Sequence, residues 1–71
     1  MSEHTDAIAA AHASARHHWR AYRYHEDRVS MAEAAGWSTD RVKREQEKAE
    51  INLALSTCFR SVVGMLKELD S

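Results

Sequence analysis

The chain has 71 residues, ten of them Lys or Arg and eleven Asp or Glu, for a formal net charge of −1. That balance gives no global electrostatic case for nucleic acid or an anionic membrane, and no stretch approaches the roughly 20 apolar residues of a membrane span. Cys58 is the only cysteine, which excludes an intramolecular disulfide. A chain this short buries only about 60% of its unfolded surface, so a partner chain is the expected supplement to its stability. The polar start, Met1 to Asp6, lacks the basic and apolar regions of a signal peptide, and a lone thiol fits a reducing compartment. These features predict a soluble, cytoplasmic protein.

Helix 1 is predicted over about 5–35. Thr5 is placed to act as N-cap, Asp6 favours the positive end of the helix dipole, and the alanine-rich run Ala7 to Ala15 has high helix propensity. No proline interrupts the chain, and one of its two glycines, Gly36, sits near the midpoint in Ala34-Ala35-Gly36-Trp37-Ser38-Thr39-Asp40. Gly36 suits the left-handed position that closes a helix, with Trp37 following it and folding back on Met31 or Ala32. The turn is predicted at 36–38. Ser38 or Thr39 then caps helix 2, predicted over about 39–69, with Asp40 in its first turn. Gly64 lies inside helix 2 at a cost of roughly 1 kcal/mol relative to alanine; close packing, or a local break, is the expected reason. Helices of about 45 Å, at 1.5 Å per residue, joined by a short turn become antiparallel neighbours. The fold class is therefore all-α: a single helical-hairpin domain over 1–71, expected to dimerise into a four-helix bundle.

On helix 2, Ile51, Leu55, Cys58, Val62, Met65 and Leu69 follow a 4-3-4-3-4 spacing, a heptad seam. Phe59, Val63 and Leu66 widen it beyond what one helix can cover. Helix 1 carries a weaker stripe of Ile8, Ala11, Ala15, Trp19, Tyr22 and Val29. The predicted self-association core is thus Ile51, Leu55, Cys58, Phe59, Val62, Leu66 and Leu69, with Trp19. Near the turn, Arg44 and Lys48 continue the helix 2 line while Glu26 and Glu33 continue that of helix 1. Lys48 is expected to face Glu26, and Arg44 the region of Glu33, fixing the pairing of the helices more than stabilising it.

Arg16, His17, Arg20, Arg23, Tyr24 and Arg28 gather on the face of helix 1 away from its stripe. Arginine with tyrosine is the composition of a protein-interaction hot spot. Basic residues interleaved with aromatics also hold phosphates and stack on bases, and a solvated face, partly neutralised by Asp27, is the plain structural reading. Of the five histidines, His18 and His25 lie seven apart and bracket Tyr22, with Glu26 nearby. The Glu-x-x-His motif of bundle metal sites is absent, and His12 and His18 lack the i, i+4 partner a helical zinc site favours, so no metal is predicted. Histidines at a core edge would still make an assembly sensitive to pH near 6 to 7.

Ser30 to Val42 resembles the core of a helix-turn-helix, with a small residue at Ala32, a turn glycine at Gly36 and apolar Trp37 and Val42. That resemblance covers about one fifth of the chain and implies a DNA-reading role for Gly36 to Glu47. The position three after Val42, apolar in that motif, is Glu45, and the helix that follows runs on far beyond a recognition helix. Cys58, lying in the seam, is expected to be an inert buried thiol. No catalytic residue and no cofactor is predicted. The expected function is a non-enzymatic protein-binding module, an adaptor or a protein inhibitor of the kind phages and mobile elements encode, acting as a homo-oligomer; a small DNA-binding regulator is the alternative.

Overall fold

The structure, a computed structural model, describes residues 4–70; residues 1–3 of the polar start and residue 71, both within the predicted 1–71 domain, lie outside them. Two helices, α1 (Thr5–Ala35) and α2 (Thr39–Asp70), pack against each other as an all-α hairpin. The described chain is a rod of 54 × 13 × 11 Å.

The turn is closed by hydrogen bonds that fix its residue types. Gly36 has φ 71° and ψ 30°, a left-handed conformation that penalises any residue with a Cβ. The Trp37 N–H donates to the Ala32 carbonyl at 3.0 Å and the Gly36 N–H to the Glu33 carbonyl at 3.3 Å, a Schellman closure of α1. Ser38 then caps α2. Its Oγ accepts from the Arg41 N–H at 3.3 Å and its carbonyl accepts from the Val42 N–H at 3.0 Å. At the other end of α1 the cap position falls on His4, whose carbonyl accepts the Ile8 N–H at 2.8 Å, so Thr5 is already helical rather than the N-cap.

The two helices meet along one line from each. Ile8, Ala11, Ala15, His18, Tyr22, His25, Val29 and Ala32 of α1, and Val42, Glu45, Ala49, Asn52, Ser56, Phe59, Val63 and Leu66 of α2, are buried or half-buried in 3-4 alternation. The middle of the contact is small and polar. Ser56 is 0% exposed, and its Oγ donates to the Ala15 carbonyl at 3.0 Å, a reach that holds the backbones close together. Further along, His18 Nδ1–H donates to Asn52 Oδ1 at 2.9 Å, and the His18 ring stacks on Phe59 at 5.8 Å between centroids.

Three further expectations are corrected. The cross-helix charge pairs near the turn are His25 with Glu45 and Arg28 with Glu45, at 2.6 and 2.8 Å, rather than Lys48 with Glu26 and Arg44 with Glu33. The reason is that Glu45, not Lys48, lies on the inner line of α2. Gly64 neither packs closely nor breaks the helix: a Cβ there would meet nothing within 4 Å, because Gly64 faces outward. Cys58 is exposed in the hairpin, since it lies one position off the inner line.

Candidate functional site

Shifting the inner line of α2, continued to Asp70, back by one residue gives Arg41, Arg44, Lys48, Ile51, Leu55, Cys58, Val62, Met65 and Leu69. All nine are exposed. One residue is about 100° around a helix, so α2 carries two parallel heptad lines: one covered by α1, the other facing outward. The outward line holds the larger apolar side chains, with Ile51 59%, Met65 62% and Leu69 71% exposed. Toward the turn the same line becomes cationic at Lys48, Arg44 and Arg41.

The side of the rod on which this line lies is set by contacts at its two edges. Arg28 of α1 joins Arg41, Arg44, Glu45 and Lys48 of α2 around one cleft of about 280 Å³. The α1 positions a heptad apart from Arg28, namely Ala7, Ser14 and Ala21, therefore flank the open line. On the opposite side the Arg60 guanidinium sits 5.0 Å over the Trp19 ring. That side also carries a cleft of about 250 Å³ lined by Tyr22, Glu26, Val29, Gln46, Ala49, Glu50 and Leu53.

The cationic cleft is organised by Glu45 and Trp37. Glu45, 5% exposed, accepts from His25 and Arg28, and Lys48 Nζ lies 3.8 Å from its other oxygen. The His25 hydrogen bond, then the Arg28 and Lys48 charges, hold its carboxyl below the usual value against the opposing effect of burial. Trp37 is flanked by two guanidinium groups, Arg41 at 3.7 Å and Arg28 at 4.9 Å from its ring centroid. Arg28 also donates to the Tyr24 hydroxyl at 3.1 Å. Across the rod, a hydrogen bond to Glu26 raises the Tyr22 phenol above its ordinary value.

The structure divides the arginine and tyrosine surface read from the sequence. Arg16, His17, Arg20, Arg23 and Tyr24 are exposed on α1, whereas Arg28 turns inward to Glu45. His17 stands edge-on to His18 at 5.0 Å, and Tyr24 edge-on to His25 at 5.2 Å. The predicted association core divides too. Ile51, Leu55, Cys58, Val62 and Leu69 lie on the open line, Phe59 and Leu66 are half-buried toward α1, and Trp19 sits on the far side with Arg60. His18 and His25 do not share a partner: one bonds Asn52 and the other Glu45. Among the described residues, no three His, Cys, Asp or Glu side chains come together in a way that could hold a metal ion. No described helix is long and apolar enough to cross a membrane. The segment from Ser30 to Val42 comprises the end of α1, the turn at 36–38 and the first turn of α2, and α2 then runs unbroken to Asp70.

Asn52, Ser56 and Arg60 were not singled out by sequence reasoning, and Glu45 entered it only as a departure from the helix-turn-helix pattern. The signal that reveals Glu45, Asn52 and Ser56 is the second 3-4 line, hidden because its middle members, Glu45, Ala49, Asn52 and Ser56, are small or polar. No family model, curated protein or solved structure matches the chain.

Proposed function

We propose that the chain is a non-enzymatic protein-binding module that works as a homo-oligomeric helical bundle. Its open α2 line is the self-association core, and its outer arginine face, Arg16, Arg20 and Arg23 with His17 and Tyr24 at the edge, meets a different protein as an adaptor or inhibitor would.

The observation that carries this reading is the distribution of apolar bulk. The buried contact within the hairpin is Ala11, Ala15, Ala32, Ala49, Ser56, Glu45 and Val63, mostly small, while Ile51, Leu55, Val62, Met65 and Leu69 face outward. A contiguous exposed apolar strip marks an interaction site. Burying such side chains stabilises by roughly 1.5–3 kcal/mol each, a gain the hairpin alone leaves unused.

Light scattering after gel filtration, over a range of concentrations, tests the reading. A mass of twice the 8.1 kDa chain or more is expected, falling to that of one chain for Leu55→Glu. A monomer at every concentration rejects self-association. Duplex DNA retarded at low salt and released steeply as salt rises would favour the DNA-binding regulator instead.

A further inference from the structure

Resting on that self-association reading, we propose that the second copy docks antiparallel on the open line of α2. The two-fold axis crosses α2 between Leu55 and Cys58 and crosses α1 beside Ser14. Each copy's Arg44–Lys48 end then meets the other's Glu68–Asp70 end.

Charge along the line selects the orientation. From Arg41 to Leu69 the open line begins with three cations and ends in apolar residues, with Glu68 beside Leu69; Asp70 continues the covered line, its Oδ1 3.9 Å from His4 Nε2. A parallel pair stacks Arg41, Arg44 and Lys48 on their own copies inside a desolvating seam, a like-charge arrangement that is destabilising. An antiparallel pair sets Leu55 against the second copy's Cys58 and Ile51 against its Val62. Lys48 and Arg44 then lie along Met65 and Leu69 of the second copy, with their stems on apolar surface and their charged heads reaching toward its Glu68.

The angle between the two lines of α2 gives the second support. Because they differ by about 100°, a helix on the open line sits at roughly a right angle to α1 about α2. A two-fold axis perpendicular to an antiparallel pair carries both α1 helices to the same flank, closing a square of four. A two-fold axis along a parallel pair carries them to opposite flanks, leaving an open S. The flank of α1 that the square turns inward is Ala7, Ser14 and Ala21, which are short enough for helices to approach to about 8 Å. The Ser56 contact with Ala15 puts Ser14 level with the axis.

Pulsed electron–electron resonance on Lys43→Cys, spin-labelled in a Cys58→Ser background, reads the orientation directly. The antiparallel pair places position 43 of one copy level with position 70 of the other, so the labels stand about 40 Å apart at 1.5 Å per residue. A distance under about 30 Å means a parallel pair, since position 43 points away from the seam on each copy; that overturns this proposal and leaves self-association standing. A monomeric mass with no intermolecular distance overturns both. As a second measurement, Arg44→Glu with Lys48→Glu should weaken self-association about ten-fold or more at low salt. Mixing that variant with Glu68→Lys should restore it in part. Loss without restoration overturns the antiparallel pairing.

Discussion

His25 and Glu45 are joined across the hairpin by a 2.6 Å hydrogen bond, Nδ1–H donating to Oε1, and the Arg28 Nε–H reaches the same oxygen at 2.8 Å. A buried carboxylate is costly unless it is partnered, and here α1 supplies both partners while Lys48 approaches from α2. The carboxylate therefore acts as a clasp between the helices just above the turn, at a position where an apolar residue would hold less specifically.

Acid should undo that clasp. The folded carboxyl titrates below its ordinary value of 4.5, so its contribution is complete above that pH and is lost as pH falls from there through the folded value. Glu45→Gln is expected to be about 1–2 kcal/mol less stable at neutral pH, and the gap from the unmodified chain should close in acid. Thermal melts of both proteins followed by circular dichroism between pH 3 and 7, at matched concentration, provide the check. A gap that stays constant through acid would show the clasp to be unimportant.

Ser56 sets the spacing of the helices. Ser56→Ala keeps the shape and loses one hydrogen bond, a cost of about 1 kcal/mol. Ser56→Leu must push α1 away from α2 and should cost about 3 kcal/mol, although it raises the hydrophobicity of the contact. Urea denaturation of the two variants distinguishes close approach from simple greasiness as the organising requirement.

The two glycines should respond in opposite directions. Gly64 sits in regular helix with open space where a Cβ would go, so Gly64→Ala should stabilise by about 1 kcal/mol and raise Tm by about 4–8 °C. Gly36→Ala forces a Cβ into a left-handed conformation and should destabilise by roughly 1–2 kcal/mol. Calorimetry of both single variants tests the pair.

Arginines on α1 should separate by role. Arg20→Ala and Arg23→Ala remove exposed side chains and should leave stability within about 0.5 kcal/mol. Arg28→Ala removes a partner of Glu45 and a neighbour of Trp37 and should lower Tm measurably, with a change in Trp37 fluorescence. Equal effects from all three would place Arg28 outside the clasp.

The hairpin was legible in the sequence because its determinants are local: one left-handed glycine, no proline, and a serine placed to cap α2. The face of α2 that meets α1 was not. Two 3-4 lines one residue apart compete along α2, and ranking them by hydrophobicity selects the line through Ile51, Leu55 and Met65. Packing selects the line through Ala49, Asn52 and Ser56, because Ala11 and Ala15 of α1 permit an approach too close for large side chains. Glu45 was passed over for the same reason: its fit depends on His25 and Arg28, which are distant in sequence and adjacent only after the turn is made. The exposed arginines of α1 were readable from the helical wheel, whereas the inward turn of Arg28 required knowing where Glu45 lies.

A hairpin with one covalent corner closes in a direction. Glu45 meets Arg28 and His25 at separations of 17 and 20 residues, whereas His18 meets Asn52 at 34 and Ser56 meets Ala15 at 41. Each later contact closes a longer loop unless the one before it is already made, so the rod zips from Gly36 outward and opens from the end opposite the turn. Amide exchange should grade along the molecule, slowest near Glu45 and fastest toward Asp70. The half of α2 that α1 releases first is the half carrying Leu55, Val62 and Met65, where a second chain would clamp the fray shut.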